Sequence, residues 1–288
     1  KDGDAINAFK AYMTEIEKMK RFGFTDGEVQ RAKDNIISRY EKSAEAAATR
    51  KNADFVRPIL NNFYYKSYFM DPATALQLAQ MVCSQLNSAL LSQVAASLIT
   101  DENMVILFNG PEKEGLVNPT EAQFAETLAA VKTAEIAANA EENVNEPLID
   151  PATLKGSKVK KETAGDYGST VWTLKNGVKV VVLPTQHKKD QVLYNLNMDG
   201  GKSAIPTEAM TSFEDNIWSL YLSNTGVSKF SGTQLPKMLA GKNVSVTPYL
   251  GNSEHGINGQ CAPKDIETAM QLMYLTFAEP RFDQNEYE

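Results

Sequence analysis

The chain changes its apolar period once, and that change limits the folds open to it. Up to about residue 137, apolar residues recur mostly at helical spacing; beyond residue 168 they alternate first as in half-buried strands. In between, from about Ala138 to Gly168, ENVNEPLIDPATLKGSKVKKETAGDYG is rich in charge, Gly and Pro and follows neither period, so it reads as a linker. Strands and helices that are grouped rather than strictly alternating predict an α+β class. The expectation is two modules, residues 1–137 and 169–288, each an antiparallel or mixed sheet with helices packed on one face.

In the first module Ile6, Phe9, Met13, Ile16 and Met19 share a helical stripe that Gly23 can close in a left-handed cap. Thr25 and Glu28 then have capping-box spacing. The pattern that follows, as far as Ser67, is too long for one ordinary helix and should break either before Pro58 or in its alanine-rich part. Asp71 before Pro72, Asn87 with Ser88, and Thr120 after Pro119 mark three further helix starts. MVILF, residues 104–108, is bounded by Asn103 and by Asn109-Gly110-Pro111 and is expected to be a buried strand.

The second module opens with VWTLK, Asn176-Gly177 and VKVVVLP, a hairpin whose Asn-Gly pair suits a type I′ turn. QVLYNLNMD is a third strand ending at Gly200-Gly201, and residues 207–224 form an amphipathic helix with Phe213, Ile217, Leu220 and Tyr221 on one stripe. A short helix in SGTQLPKMLAG, paired strands in NVSVTPYLG and EHGINGQ, and a helix opened by Pro263 complete the order.

Composition excludes several functions. With 29 basic and 36 acidic residues the net charge of −7 repels a phosphate backbone, so no nucleic-acid partner is expected. Lys155, Lys158, Lys160 and Lys161 sit among Gly and Ser and read as solvated linker. No window reaches the roughly 18 apolar residues of a membrane span. Cys83 and Cys261 lie too far apart in sequence to suggest a paired metal site, and no disulfide framework is legible. The opening KDGDAINAFKAYM has neither an initiator Met nor a leader, which suggests a piece of a longer protein.

A catalytic zinc needs about three ligands from His, Cys, Asp or Glu, often with two on one helical turn. Only His187 and His255 are present, far apart in sequence. Glu254-His255 matches the end of H-x-x-E-H, but the first position is Gly251, and GNSEHG is no helix. His255 therefore reads as structural or solvated. His187 reads as part of a surface loop, with Lys188, Lys189 and Asp190 beside it. Gly200-Gly201-Lys202-Ser203 is too short for a phosphate loop, and no GxSxG elbow exists. Glu141-Glu142 and Glu214-Asp215 are carboxylate pairs of an ordinary solvated kind, the latter suited to the first turn of its helix.

Two segments carry a resemblance. EIEKMKRFGFTDGEVQRAKDNIISRYE (15–41), with ENMVILFNGPE after it, resembles the late part of one half of the two-halved zinc metallopeptidases of the pitrilysin, insulinase and processing-peptidase type, MVILF being its closing strand. WTLKNGVKVVVLPTQHKKDQV, followed by DGGKSA, resembles the opening hairpin and glycine turn of the next half.

In active halves of this inverted-zincin family the helix after that turn carries H-x-x-E-H. An approximate register puts Ser219, Leu222 and Ser223 at those three positions, and residues 188–254 contain no histidine. The resemblance thus implies residues 1–137 from the end of a first half, a linker at 138–168, and residues 169–288 from the start of a degenerate, non-catalytic second half. It implies zinc in the parent protein, with ligands outside this chain and none within it.

In that parent, zinc would polarise the scissile carbonyl while the motif Glu acts as base. The implied partners are a peptide substrate and either the catalytic half of the same chain or an active partner subunit, with no membrane; a periplasmic setting is implied as well. Two alternatives accompany this expectation: a scaffold or inactive partner subunit of the same fold, and an unrelated periplasmic binding module.

Overall fold

In the computed structural model of the protein, the residues described are 4–100, 102, 104–140, 146–210, 221, 222 and 224–287. Contacts group the chain into two units, Lys1–Lys33 with Gln80–Glu142 and Asp34–Ala79 with Asn143–Glu288. The chain mixes helices with antiparallel sheet, the α+β class. No helix among the described residues is long and apolar enough to cross a membrane.

The helical stretch runs α1 (Ala5–Phe22), α2 (Asp26–Glu45), α3 (Asn52–Tyr65), α4 (Pro72–Gln85), α5 (Ser88–Leu98) and α6 (Glu121–Thr133). Their ends lie where side chains can satisfy orphan backbone groups. Gly23 ends α1 at φ 69°, its N–H donating to Met19 O at 2.9 Å. Thr25 and Glu28 form the capping box, Thr25 N–H donating to Glu28 Oε2 (2.8 Å) and Glu28 N–H to Thr25 Oγ1 (3.2 Å). Asp71 caps α4, Asn87 caps α5, and Thr120 with Gln123 caps α6.

The long second pattern breaks in its alanine stretch, and Pro58 lies inside α3. Alanine alone favours helix, but the Asp54 carboxylate accepts from Lys51 N–H at 2.8 Å and starts a new one.

Arg21 braces the first unit. Its guanidinium donates to Lys132 O (2.7 Å) and Ala134 O (2.8 Å), satisfying carbonyls at the end of α6, while Glu17 accepts from it at 2.7 Å. Phe9 of α1 meets Phe124 of α6 edge-on at 5.0 Å.

MVILF departs from expectation. Met104–Phe108 are neither a strand nor buried; Leu107 is 91% exposed. A strand needs a neighbour for its backbone groups, and the described strands all belong to the other unit.

The strands are β1 (Val159–Ala164), β2 (Thr170–Leu174), β3 (Lys179–Val182), β4 (Val192–Asp199), β5 (Gly226–Val227) and β6 (Phe230–Ser231). A short α7 (Gln234–Met238), β7 (Val244–Leu250), β8 (Glu254–Cys261), α8 (Ile266–Ala278) and α9 (Gln284–Tyr287) follow. They form antiparallel sheets ordered β1-β2-β3 and β4-β8-β7, plus the β5-β6 hairpin.

Strand β1 lies inside the stretch read as linker. All six of its residues are exposed, so no alternation marks it, and its pairing to β2 rests on backbone hydrogen bonds. The hairpin turn also differs in type. Only Gly177 has positive φ (92°), Asn176 does not, and Gly177 N–H donates to Leu174 O at 3.0 Å. This is the three-residue loop with a glycine bulge, not the two-residue type I′ turn.

On the inner face of β4-β8-β7, Leu196 stands opposite Ile257, and α8 packs against β7 and β8. Val227, Leu272 and Leu275 make the core there, with Leu235, Leu239 and Val246 against them.

Candidate functional site

The segment that the resemblance aligns with the metal motif follows the Gly200-Gly201 turn at the end of β4. Gly200 (φ 128°) and Gly201 (φ 61°) fold the chain back onto the β7–β8 turn. Gly200, Lys202 and Ser203 donate their N–H groups to Ser253, Gly251 and Asn252 oxygens at 2.9, 2.9 and 2.8 Å. Gly201 N–H donates to His255 Nδ1 at 3.3 Å. The lone pair on that nitrogen accepts this bond, which ties His255 to the turn.

Of the three degenerate-motif positions, Ser219 and Ser223 lie outside the described residues, as do Phe213, Ile217 and Leu220 of the expected stripe. Thr207–Ala209 begin the segment as a single 3-10 turn, and Tyr221 and Leu222 are helical. Leu222 lines a cavity of about 280 Å³ together with Val227, Leu235, Leu239, Val246 and Leu272, with Asn224, Thr247 and Thr276 also in its wall. Leu222 itself, a hydrocarbon side chain, offers no electron pair to a cation. His187 is exposed in the β3–β4 loop. Among the described residues no three of His, Cys, Asp and Glu converge into a set that could hold a zinc ion.

The same loop holds one departure from a simple surface segment. Asp190 is only 4% exposed, and its Oδ1 has no hydrogen-bond partner among the described residues.

Sequence reasoning missed how the far end of the helix is tied down. The Tyr221 ring stacks on Phe282 at 5.7 Å, and its hydroxyl accepts from Asp283 N–H at 2.6 Å. Buried Thr225 donates to Glu286 Oε2 at 2.9 Å, while Arg281 holds Asp283 at 2.7 Å. These partners lie some 60 positions apart, so no local pattern announces them. The arrangement ties residues 221–225 to the segment 281–286.

The perturbed ionisable groups sit in the same supporting framework. Burial pushes the Cys261 thiol up, with Asp265 adding to the effect. Burial, and then Cys261, raise Tyr194 to about 12; its hydroxyl donates to Ser245 O at 2.7 Å. Lys264 is raised by its hydrogen bond to Glu41, 2.5 Å away. A phenol raised on folding favours the folded state below its ordinary pKa and loses that contribution as pH climbs through the folded value. Stability should therefore decline from about pH 10 to about pH 12. Alkaline absorbance titration should find one of the eleven tyrosines ionising last, and Tyr194→Phe should remove that step. Cys83 and Cys261, both buried, should react with a thiol reagent only after denaturation.

With this geometry described, comparison with known proteins is direct. No family model matches the chain. A zinc protease PQQL-like protein of Arabidopsis thaliana is 21% identical over 262 residues, which is 91% of this chain and 25% of that protein. The chain thus spans about a quarter of the curated relative it matches. Among solved structures, a mutant of the ferredoxin protease FusC in complex with Arabidopsis ferredoxin superposes with a TM-score of 0.51, at 16% identity over 98% of this chain and 31% of that one. The periplasmic protease PqqL from Escherichia coli gives a TM-score of 0.45 at 16% identity, over 97% and 31% of the two chains. The chain is related to the PqqL-like zinc proteases, of the pitrilysin, insulinase and processing-peptidase type of inverted zincin.

Proposed function

We propose that this chain is a non-catalytic, chamber-forming section of a zinc-dependent peptidase. Residues 1–137 close the first half, 138–168 link, and 169–288 open a degenerate second half. The carrying observation is the pairing of a zinc-protease relative across 91% of the chain with an apolar residue, Leu222, at the approximate position of the motif's glutamate. The glycine turn with His255 and the Tyr221–Thr225–Glu286 anchorage fix the two described ends of the segment that would carry the motif. On this reading zinc is held by residues elsewhere in the parent, peptides are the substrate, and this section helps to enclose them.

Metal analysis and a quenched peptide substrate test the reading on the parent protein and on the 288-residue chain side by side. The expected result is stoichiometric zinc and chelator-sensitive cleavage in the parent, and neither in the 288-residue chain. Chelator-sensitive cleavage by the 288 residues alone would overturn it. A parent that holds no zinc and cleaves nothing would favour the scaffold or inactive-subunit reading instead.

A further inference from the structure

Charge is distributed unevenly along the chain. Eight of the 29 basic residues but only two of the 36 acidic ones fall within residues 155–189, which leaves 21 basic against 34 acidic residues elsewhere. All eight of these lysines are exposed, and none forms an ion pair with a described residue. A cationic segment in an acidic chain makes a local field that the net charge conceals.

Strands β1, β2 and β3 gather part of that charge on one face. Lys161 stands opposite Thr173, and Thr173 opposite Lys179, so two lysines flank a threonine in one cross-strand row, about 10 Å apart at two strand spacings. Successive residues alternate between faces, which puts Glu162 on the other side, where its carboxylate accepts from Trp172 Nε1 at 3.0 Å. The lysine face is completed by Thr163, Val171 and Val181, so none of its six paired residues is acidic. Lys175 N–H donates to Lys158 O at 2.9 Å, which sets two more lysines at the same end of the sheet.

Strand β1 is also a border strand. It pairs with β2 alone, all six of its residues are exposed, and its outer edge has no backbone partner among the described residues. Lysines that only guard such an edge against aggregation belong on the edge strand itself. Lys175 lies in the turn and Lys179 on the far border strand β3, so protection of β1 does not account for them. A cationic face beside a free strand edge matches a ligand with both negative charge and a repeating series of N–H and C=O groups. Anionic lipid and nucleic acid bring the charge without that backbone. A second copy adding β1 to β1 would set lysine against lysine.

We propose that the outer edge of β1, with the Lys161–Thr173–Lys179 row beside it, docks an acidic polypeptide segment as an added strand. The docking needs no zinc and does not depend on the peptidase reading.

Fluorescence anisotropy of the 288-residue chain with a labelled synthetic peptide, in which Glu alternates with Thr, tests it. Alternation puts every carboxylate on one side of the added strand. Saturable binding is expected, and Lys161→Glu with Lys179→Glu should weaken it at least ~10-fold. Melting of that double variant should be unchanged, because both side chains are exposed. Two further peptides probe the unaltered chain: one with Gln in place of Glu, and the Glu peptide with every backbone nitrogen methylated. Each should bind at least ~10-fold more weakly, the first for want of charge and the second for want of N–H donors. Absence of saturable binding, or equal binding of either altered peptide, overturns the proposal. So does tighter binding to phosphatidylserine vesicles or to a single-stranded oligonucleotide than to the Glu peptide.

Discussion

Gly201→Ala should lower the stability of the 288-residue chain by about 3 kcal/mol, read as a fall in its urea midpoint. Two effects combine. At φ 61° any side chain strains the backbone, and a Cβ at this position would lie 2.5 Å from Glu254 N, 2.6 Å from Gly251 O and 2.8 Å from Glu254 O. Those neighbours are main-chain atoms of the β7–β8 turn, so no rotamer change can relieve the overlap. The matched control is Gly177→Ala, where φ is 92° but nothing lies within 4 Å of the added carbon. Only the conformational penalty applies there, about 1 kcal/mol. Equal losses at the two sites would mean that the close approach of the Gly201 turn to β8 is not formed in solution, and the role given to His255 would go with it.

Leu275→Ala should be comparable, at about 3 kcal/mol, because a residue 2% exposed leaves a cavity that its neighbours fill only in part. Leu275 packs with Val227 and Leu272 beneath β7 and β8, and Leu148 and Ile149 close the cluster. For a unit of about this size each kcal/mol moves the melting midpoint by roughly 2–4 °C, so a fall of about 6–12 °C is expected by calorimetry. Leu107→Ala is the contrast: a leucine 91% exposed should shift stability by no more than about 0.5 kcal/mol in the same chain. A small loss at Leu275 would place the core of this unit elsewhere.

How much was readable beforehand depended on the range of the interaction. Gly23, the Thr25–Glu28 box, Asp71, Asn87 and Thr120 act within a few residues, and each marks a helix end where the sequence pointed. Strand β1 escaped because both of its faces meet solvent, so pairing left no trace in the hydropathy pattern. Leu148 and Ile149 looked like linker because nothing local tells a tethering apolar pair from one that docks on a core 120 residues away. The hairpin was placed correctly while its turn was mistyped, since Asn-Gly serves both loop forms and strand pairing selects between them.

The candidate site divides along the same line. That residues 188–254 contain no histidine is a matter of composition, and no fold can draw imidazoles from a segment that has none. By itself, then, the sequence determined the caps, the order of most elements, the α+β class and the lack of any histidine between residues 188 and 254, all properties of single residues or near neighbours. Only the tertiary structure decided that His255 spends its Nδ1 on Gly201, that Leu222 lines a cavity with Val227 and Leu272, and that MVILF stands exposed. Each of these depends on which distant backbone comes within hydrogen-bonding or packing range, and that is set by the whole chain's burial of apolar surface.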